Sequence, residues 1–224
     1  MHKERLIDKL NRRFGRFAIQ NLMTVIIGAM ALVFVCDMMI YSTKGVSVIS
    51  VLTFSKSAIF AGEIWRILTF IFLPPETRLI FIIFALYLYW LIGSTLEENW
   101  GAFKFNLFYL CGIVGTIISG LITGYATNSF LNLSLFLAFA ILFPDFELRV
   151  FFLIPVKIKY FALLYLVSII YMLIVLPLSY KIAIIVSQAN VALFFTRDFI
   201  DGIKNLHRRL KFKRSADIYW KNQR

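Results

Sequence analysis

The sequence predicts an all-α fold: a polytopic membrane protein with six spans in a domain covering 17–195, between basic tails at 1–16 and 196–224. Three observations carry this expectation. The chain is 60% hydrophobic with a mean hydropathy of +0.81, where a soluble domain is nearer half apolar. Leu79 to Leu96 and Phe105 to Pro144 contain no charged side chain, and uncharged runs of such length read as spans rather than soluble core helices. The basic residues gather at the ends, six of the 24 Lys and Arg in 1–16 and nine in 197–224. A net charge of +12 could suit a nucleic-acid binder. Its confinement to the tails instead matches a membrane protein with cytoplasmic ends, and no nucleic-acid partner is expected.

In the first tail, Leu6, Leu10, Phe14 and Phe17 recur at spacings of four, four and three among Lys3, Arg5, Lys9, Arg12, Arg13 and Arg16. That pattern puts an apolar stripe on a basic helix suited to an anionic lipid surface; a solvated tail is the alternative. The tail lacks the features of a cleavable signal peptide, so the first apolar run, Phe17 to about Met39, is expected to remain as a span. Asp37 near its outer end is expected to reach water rather than serve as a buried proton site. Ser42 to Arg78 is a long connection. Val46 to Phe60 within it is too apolar for a free loop and too interrupted by Lys44, Lys56 and hydroxyl residues to span, which suits the interface. Pro74-Pro75 stops any helix there.

The second span is Leu79–Leu96. The 40 uncharged residues from Phe105 to Pro144 would overshoot a bilayer core of about 30 Å as one helix. Gly124-Tyr125-Ala126-Thr127-Asn128 has the turn chemistry to break it. A third span then covers Lys104 to about Ile122 and a fourth about Ser129 to Phe143. Pro144-Asp145 ends the fourth. Pro155 to Lys159 precedes the fifth, Tyr160–Leu176, and Pro177 and Ser179 turn the chain into the sixth, Ile182–Phe195. In the last tail, Phe199, Ile203, Leu206 and Leu210 repeat the amphipathic pattern among Lys204, Arg208, Arg209 and Lys211. Six spans put nineteen Lys and Arg on the side of the tails and five on the other, so both termini are expected in the cytoplasm. Cys36 and Cys111 have no CxxC spacing and read as small core residues. No metal or cofactor is expected.

One stretch organises the chain. Gly93-Ser94-Thr95-Leu96-Glu97-Glu98-Asn99-Trp100-Gly101 closes the second span with a Trp suited to a membrane–water interface. It follows an outer connection carrying Trp65-Arg66 and then Thr69-Phe70. In this order, with six spans and cytoplasmic ends, Trp65, Arg66, Gly93, Glu97, Trp100 and Gly101 resemble the framework motifs of the rhomboid superfamily. That superfamily includes intramembrane serine proteases and inactive relatives such as the derlins. The resemblance covers about residues 17–195. The Phe-Pro after the fourth span and Ile-Pro-Val-Lys before the fifth look like bacterial members, which implies a bacterial plasma membrane. In the family, the Trp-Arg and Gly-xxx-Glu motifs hold the outer connection and a helix end in place.

The chain departs from the family where the chemistry lies. Rhomboid proteases use a Ser in Gly-x-Ser-Gly opening the fourth span and a His in the sixth. Here the histidines are His2 and His207, both in the tails, and a serine nucleophile needs a base to take its proton. Ser129 stands near the nucleophile position between Asn128 and Phe130, without the glycine that lets backbone N–H groups face an oxyanion. Its position also suits a helix cap. Ala85 and Phe81 stand where the family's oxyanion Asn and His would be. The sixth span has no glycine; Ser187, Gln188 and Asn190 are its polar residues, and the latter two read as interhelical hydrogen-bonding groups. Gly112, Gly115, Gly120 and Gly124 give the third span a small-residue face for internal packing, or else for dimerisation.

The expected function is therefore that of a non-catalytic rhomboid-like protein, with no catalytic residue, that recognises transmembrane segments of partner proteins. The enzyme alternative is an intramembrane serine endopeptidase of unusual chemistry through Ser129. Transport or lipid handling is disfavoured because the spans hold almost no ionisable residues for a coupling pathway.

Overall fold

The computed structural model describes residues 6–150 and 154–178, together with 180–182, 184–186, 188–192 and 194–195. The described chain is mostly helical. Four helices are long and apolar enough to cross a membrane: α2 (Leu22–Lys44), α6 (Leu79–Trp100), α7 (Ala102–Thr123) and α9 (Ile158–Val175). Between them lie a short basic helix α1 (Leu6–Phe14), the small helices α3 (Val48–Leu52), α4 (Lys56–Phe60) and α5 (Arg66–Thr69), and the apolar 15-residue α8 (Asn128–Leu142). The described residues between 178 and 195 are helical again and form the last helix.

Two small sheets qualify the all-α expectation. β1 (Phe54–Ser55) pairs antiparallel with β2 (Tyr125–Ala126), and β3 (Glu147–Val150) pairs with β4 (Ile154–Lys157). The first clamps the outer connection onto the turn between α7 and α8, helped by the Lys56 N–H donating to Gly124 O at 3.2 Å. A chain pressed against a bundle must satisfy its backbone groups, and two-residue pairing does so where a helix cannot continue. Periodicity in so short a piece carries no signal.

Several boundaries differ from the sequence reading. The first span starts at Leu22 instead of Phe17, because Gly15–Phe17 is a 3-10 turn and Asn21 adopts φ +54° before the helix. It also runs past Met39 to Lys44. Asp37 is thus well inside the helix, half-buried, where its Oδ1 accepts from Ser47 Oγ at 2.8 Å and from Ile49 N–H at 3.0 Å. The carboxylate receives the start of α3 rather than simply meeting water. The second span continues through Glu97 to Trp100, since nothing in Glu-Glu-Asn-Trp breaks a helix until Gly101. Cys36 and Cys111 are half-buried free thiols.

The turn expected at 124–128 is present. Gly124, at φ +91°, ends α7 in the left-handed conformation that favours glycine. Thr127 caps α8 by accepting from Ser129 N–H; the cap is the threonine two residues earlier, and Ser129 is inside the first turn. α8 is the central helix. It packs against α6, α7 and α9 and buries Leu131, Leu135, Ala138 and Phe139. Fifteen residues rise about 22 Å, short of a bilayer core of about 30 Å. Sheltered by its neighbours, α8 has little need to match the lipid thickness.

Candidate functional site

The motif residues lie at two ends of the bundle, and Arg66, Gly93, Glu97, Trp100 and Gly101 each have an assignable role. At one end Arg66, on α5, is largely buried. Its Nε donates to Glu63 Oε2 at 2.7 Å, and its Nη1 donates to Ser50 O at 2.8 Å and Thr53 O at 2.7 Å. Those carbonyls belong to α3 and its C-terminal cap, groups that a helix end leaves without partners. A planar guanidinium can serve three acceptors on separate segments at once. Thr69 Oγ1 adds a bond to Leu52 O at 2.9 Å. Trp65 is half-exposed beside it. Below, Phe54 is fully buried and meets Phe70 edge-on, ring centroids 5.9 Å apart. Gly120 leaves room for that ring: a Cβ there would lie 2.7 Å from Phe54. The small-residue face of α7 thus packs internally, with Gly112 against Leu131 and Gly115 against Val186.

At the other end lies the Gly93–Gly101 stretch. Gly93 is buried where α6 crosses α2, and any Cβ would overlap the Met23 side chain. One turn on, Glu97 Oε1 accepts the Asn21 backbone N–H at 2.6 Å, so the carboxylate receives the chain where it enters α2. Trp100 turns inward. Its ring lies 5.4 Å from Phe108, 6.4 Å from Phe194 in a stacked arrangement and 5.6 Å from Phe195. Gly101, at φ +82° and ψ +150°, alone connects two 22-residue helices, a conformation essentially restricted to glycine. The stretch therefore joins the start of α2, the α6–α7 turn and the end of the last helix at one end of the bundle.

Ser129, the candidate nucleophile, is exposed. Among the described residues its hydroxyl meets the Thr127 hydroxyl at 3.1 Å. A second alcohol is no base at neutral pH, so this arrangement caps a helix and does not activate an attacking oxygen. Its neighbour Asn128 is buried and ties α8 to the outer connection, donating to Ile71 O at 3.1 Å and Leu73 O at 2.8 Å. His2, His207, Ser187 and the last tail lie outside the residues whose side chains are described. Among the described residues, no group of three or more His, Cys, Asp or Glu could hold a metal ion.

The two polar residues expected to bridge helices do so. Asn190 Nδ2 donates to Phe108 O on α7 at 2.9 Å, and Gln188 Nε2 donates to Tyr165 Oη on α9 at 2.8 Å. Sequence reasoning missed a buried polar layer in the middle of the bundle. Asn132 of α8 is 2% exposed and Tyr109 of α7 is 1% exposed. Neither amide atom of Asn132 nor the Tyr109 hydroxyl has a hydrogen-bond partner among the described residues. Tyr89 of α6 lies beside both, its hydroxyl near the Asn132 amide. The available signal was Asn128 and Asn132 four residues apart, one face of an apolar helix carrying two amides.

Outside the spans, Asp145 accepts from Lys159 Nζ at 2.8 Å and Lys157 Nζ at 3.3 Å. These bonds hold its carboxyl below the usual carboxylate range.

Comparison of this chain with protein-family models, with curated proteins and with solved structures finds no match. The helical architecture and its apolar helices accordingly define the class: a helical membrane protein.

Proposed function

We propose that this chain is a non-catalytic rhomboid-like protein of six spans that holds transmembrane segments of partner proteins. The observation that carries the reading is that Arg66, Gly93, Glu97 and Trp100 of the framework are used to join segments of the bundle, while the Ser129 hydroxyl stands beside another alcohol instead of a base. The six-span count adds the central α8 and the last helix to the four long helices. The start of α2 and the end of the last helix share one end of the bundle through Glu97 and Trp100, which supports two tails on one side. The lysine and arginine bias makes that side cytoplasmic, in a bacterial plasma membrane, with the basic tails against anionic lipid. Partner segments would dock on α9, of which only Ile158 and Ala162 are buried. Its Leu163, Val167 and Ile170 form an open apolar face.

Purified protein is treated with a fluorophosphonate probe and offered transmembrane substrates, beside a Ser129→Ala control. Photocrosslinkers on the exposed faces of α6 and α9 report bound segments in cells. Crosslinked helices without serine-dependent labelling support the proposal. Labelling or cleavage lost in Ser129→Ala would overturn it in favour of an unusual intramembrane serine protease. Reporter fusions should place both ends in the cytoplasm.

A further inference from the structure

Three shallow concavities lie side by side where α6 turns into α7. The first, about 180 Å³, is an apolar groove between Phe14 and Phe17 on one wall and Phe103, Leu107 and Leu110 on the other. The second, about 230 Å³, is polar and holds Lys104, Asn11 and Gln20 beside the Trp100–Gly101 turn. The third, about 280 Å³, carries Glu97 and Glu98 with Ser94. Ala18 and Phe103 belong to the first and second, Gln20 and Ala102 to the second and third. The order along the surface is therefore apolar, cationic, acidic.

We propose that these three adjoining concavities together bind one phosphatidylethanolamine-type lipid. An acyl chain lies in the groove, the phosphate beside Lys104, and the primary ammonium against Glu98. The apolar wall is open, with Phe14 and Phe17 at 44% and 66% exposure. The Arg13 and Arg16 guanidinium groups stand over these rings, 5.6 and 4.8 Å from their centroids, adding positive charge beside the groove. Asn106 is the polar side chain in the groove, and its Oδ1 has no partner among the described residues.

The acidic end selects the headgroup. Glu97 already accepts the Asn21 amide, and Glu98 is exposed with no ion-pair partner among the described residues. A purely anionic headgroup would place negative charge toward that carboxylate. A choline headgroup would bring a cation without N–H donors, whereas a primary ammonium supplies three. The site lies level with the helix ends, at headgroup depth. The inference stands independently of client binding and requires only that the apolar helices lie in a bilayer.

The test is native mass spectrometry of delipidated full-length protein titrated with phosphatidylethanolamine, phosphatidylglycerol or phosphatidylcholine of matched chains. Phosphatidylethanolamine should bind roughly tenfold more tightly than phosphatidylcholine, the scale of one charge-assisted bond. Glu98→Gln should abolish that preference. Lys104→Gln should weaken all three lipids, and Leu107→Trp should block the groove. Stronger retention of phosphatidylglycerol with Glu98→Gln indifferent, or equal retention by every variant, overturns the assignment. Thermal midpoints of the variants check folding; Glu98 is exposed, so its substitution alone decides the headgroup should a groove variant fail to fold.

Discussion

Arg66 illustrates how much one side chain can hold. Removing it leaves Ser50 O and Thr53 O without their donor and Glu63 without its cation. Arg66→Ala should cost about 1–3 kcal/mol, most of it from the carbonyls left without a partner, because Glu63 is partly solvated. Arg66→Lys should recover only part, since one ammonium cannot reproduce the forked geometry. Thermal unfolding in detergent measures both, and equal midpoints for wild type and Arg66→Ala would show the network to be idle. Gly93 makes a similar test by addition. Gly93→Ala drives a methyl into Met23 and should cost about 1–3 kcal/mol by overpacking. Pairing it with Met23→Ala should restore part of the loss, a coupling that a cycle of single and double variants resolves. Both residues stood out in the sequence as motif positions. Their partners did not, because Ser50 O and Met23 are related to them by folding rather than by spacing.

At the scale of elements, α8 carries the main conflict between local pattern and packing. Asn132 places two polar atoms inside the bundle with only the Tyr89 hydroxyl near its amide and no well-aligned hydrogen bond among the described residues. Buried amides of this kind are costly when unsatisfied. Asn132→Leu should leave the thermal midpoint unchanged or raise it; a fall equivalent to more than about 1 kcal/mol would mean that the amide is hydrogen-bonded in the folded protein. The hairpin of β3 and β4 offers a pH test. Asp145 has its carboxyl pKa depressed by Lys159 and Lys157. The folded state then binds its proton less readily than the unfolded chain. The associated stabilisation is present above the ordinary carboxylate value of roughly 3.9 and is lost as pH falls through the lowered one. Melting scans from neutral pH downward should show this acid sensitivity, and Asp145→Asn should flatten it.

For the whole molecule, the Trp100 cluster decides how the bundle closes. Its contacts with Phe108, Phe194 and Phe195 fasten the last helix to the α6–α7 turn. Trp100→Ala should cost about 2–4 kcal/mol, at the lower part of the range for large aromatic truncations because the ring is only half-buried. It should also open the end of the last helix to limited proteolysis, whereas Trp100→Phe should keep most of the closure. Resistance of the Ala variant equal to that of wild type would assign the closure to other contacts.

What the sequence by itself determined is the helical membrane class, the extent of the long apolar helices to within about five residues and the Gly124 turn. These follow from uncharged length, charge distribution and glycine, properties each segment carries alone. What only the tertiary structure decided is how residues meet: Glu97 receiving the start of α2, Trp100 turned inward, Asp37 holding α3, and Asn132 and Tyr109 buried in the core near Tyr89. These depend on residues brought together from distant parts of the chain, such as Asn21 and Glu97. No local period encodes such a meeting, because it arises only when the helices pack.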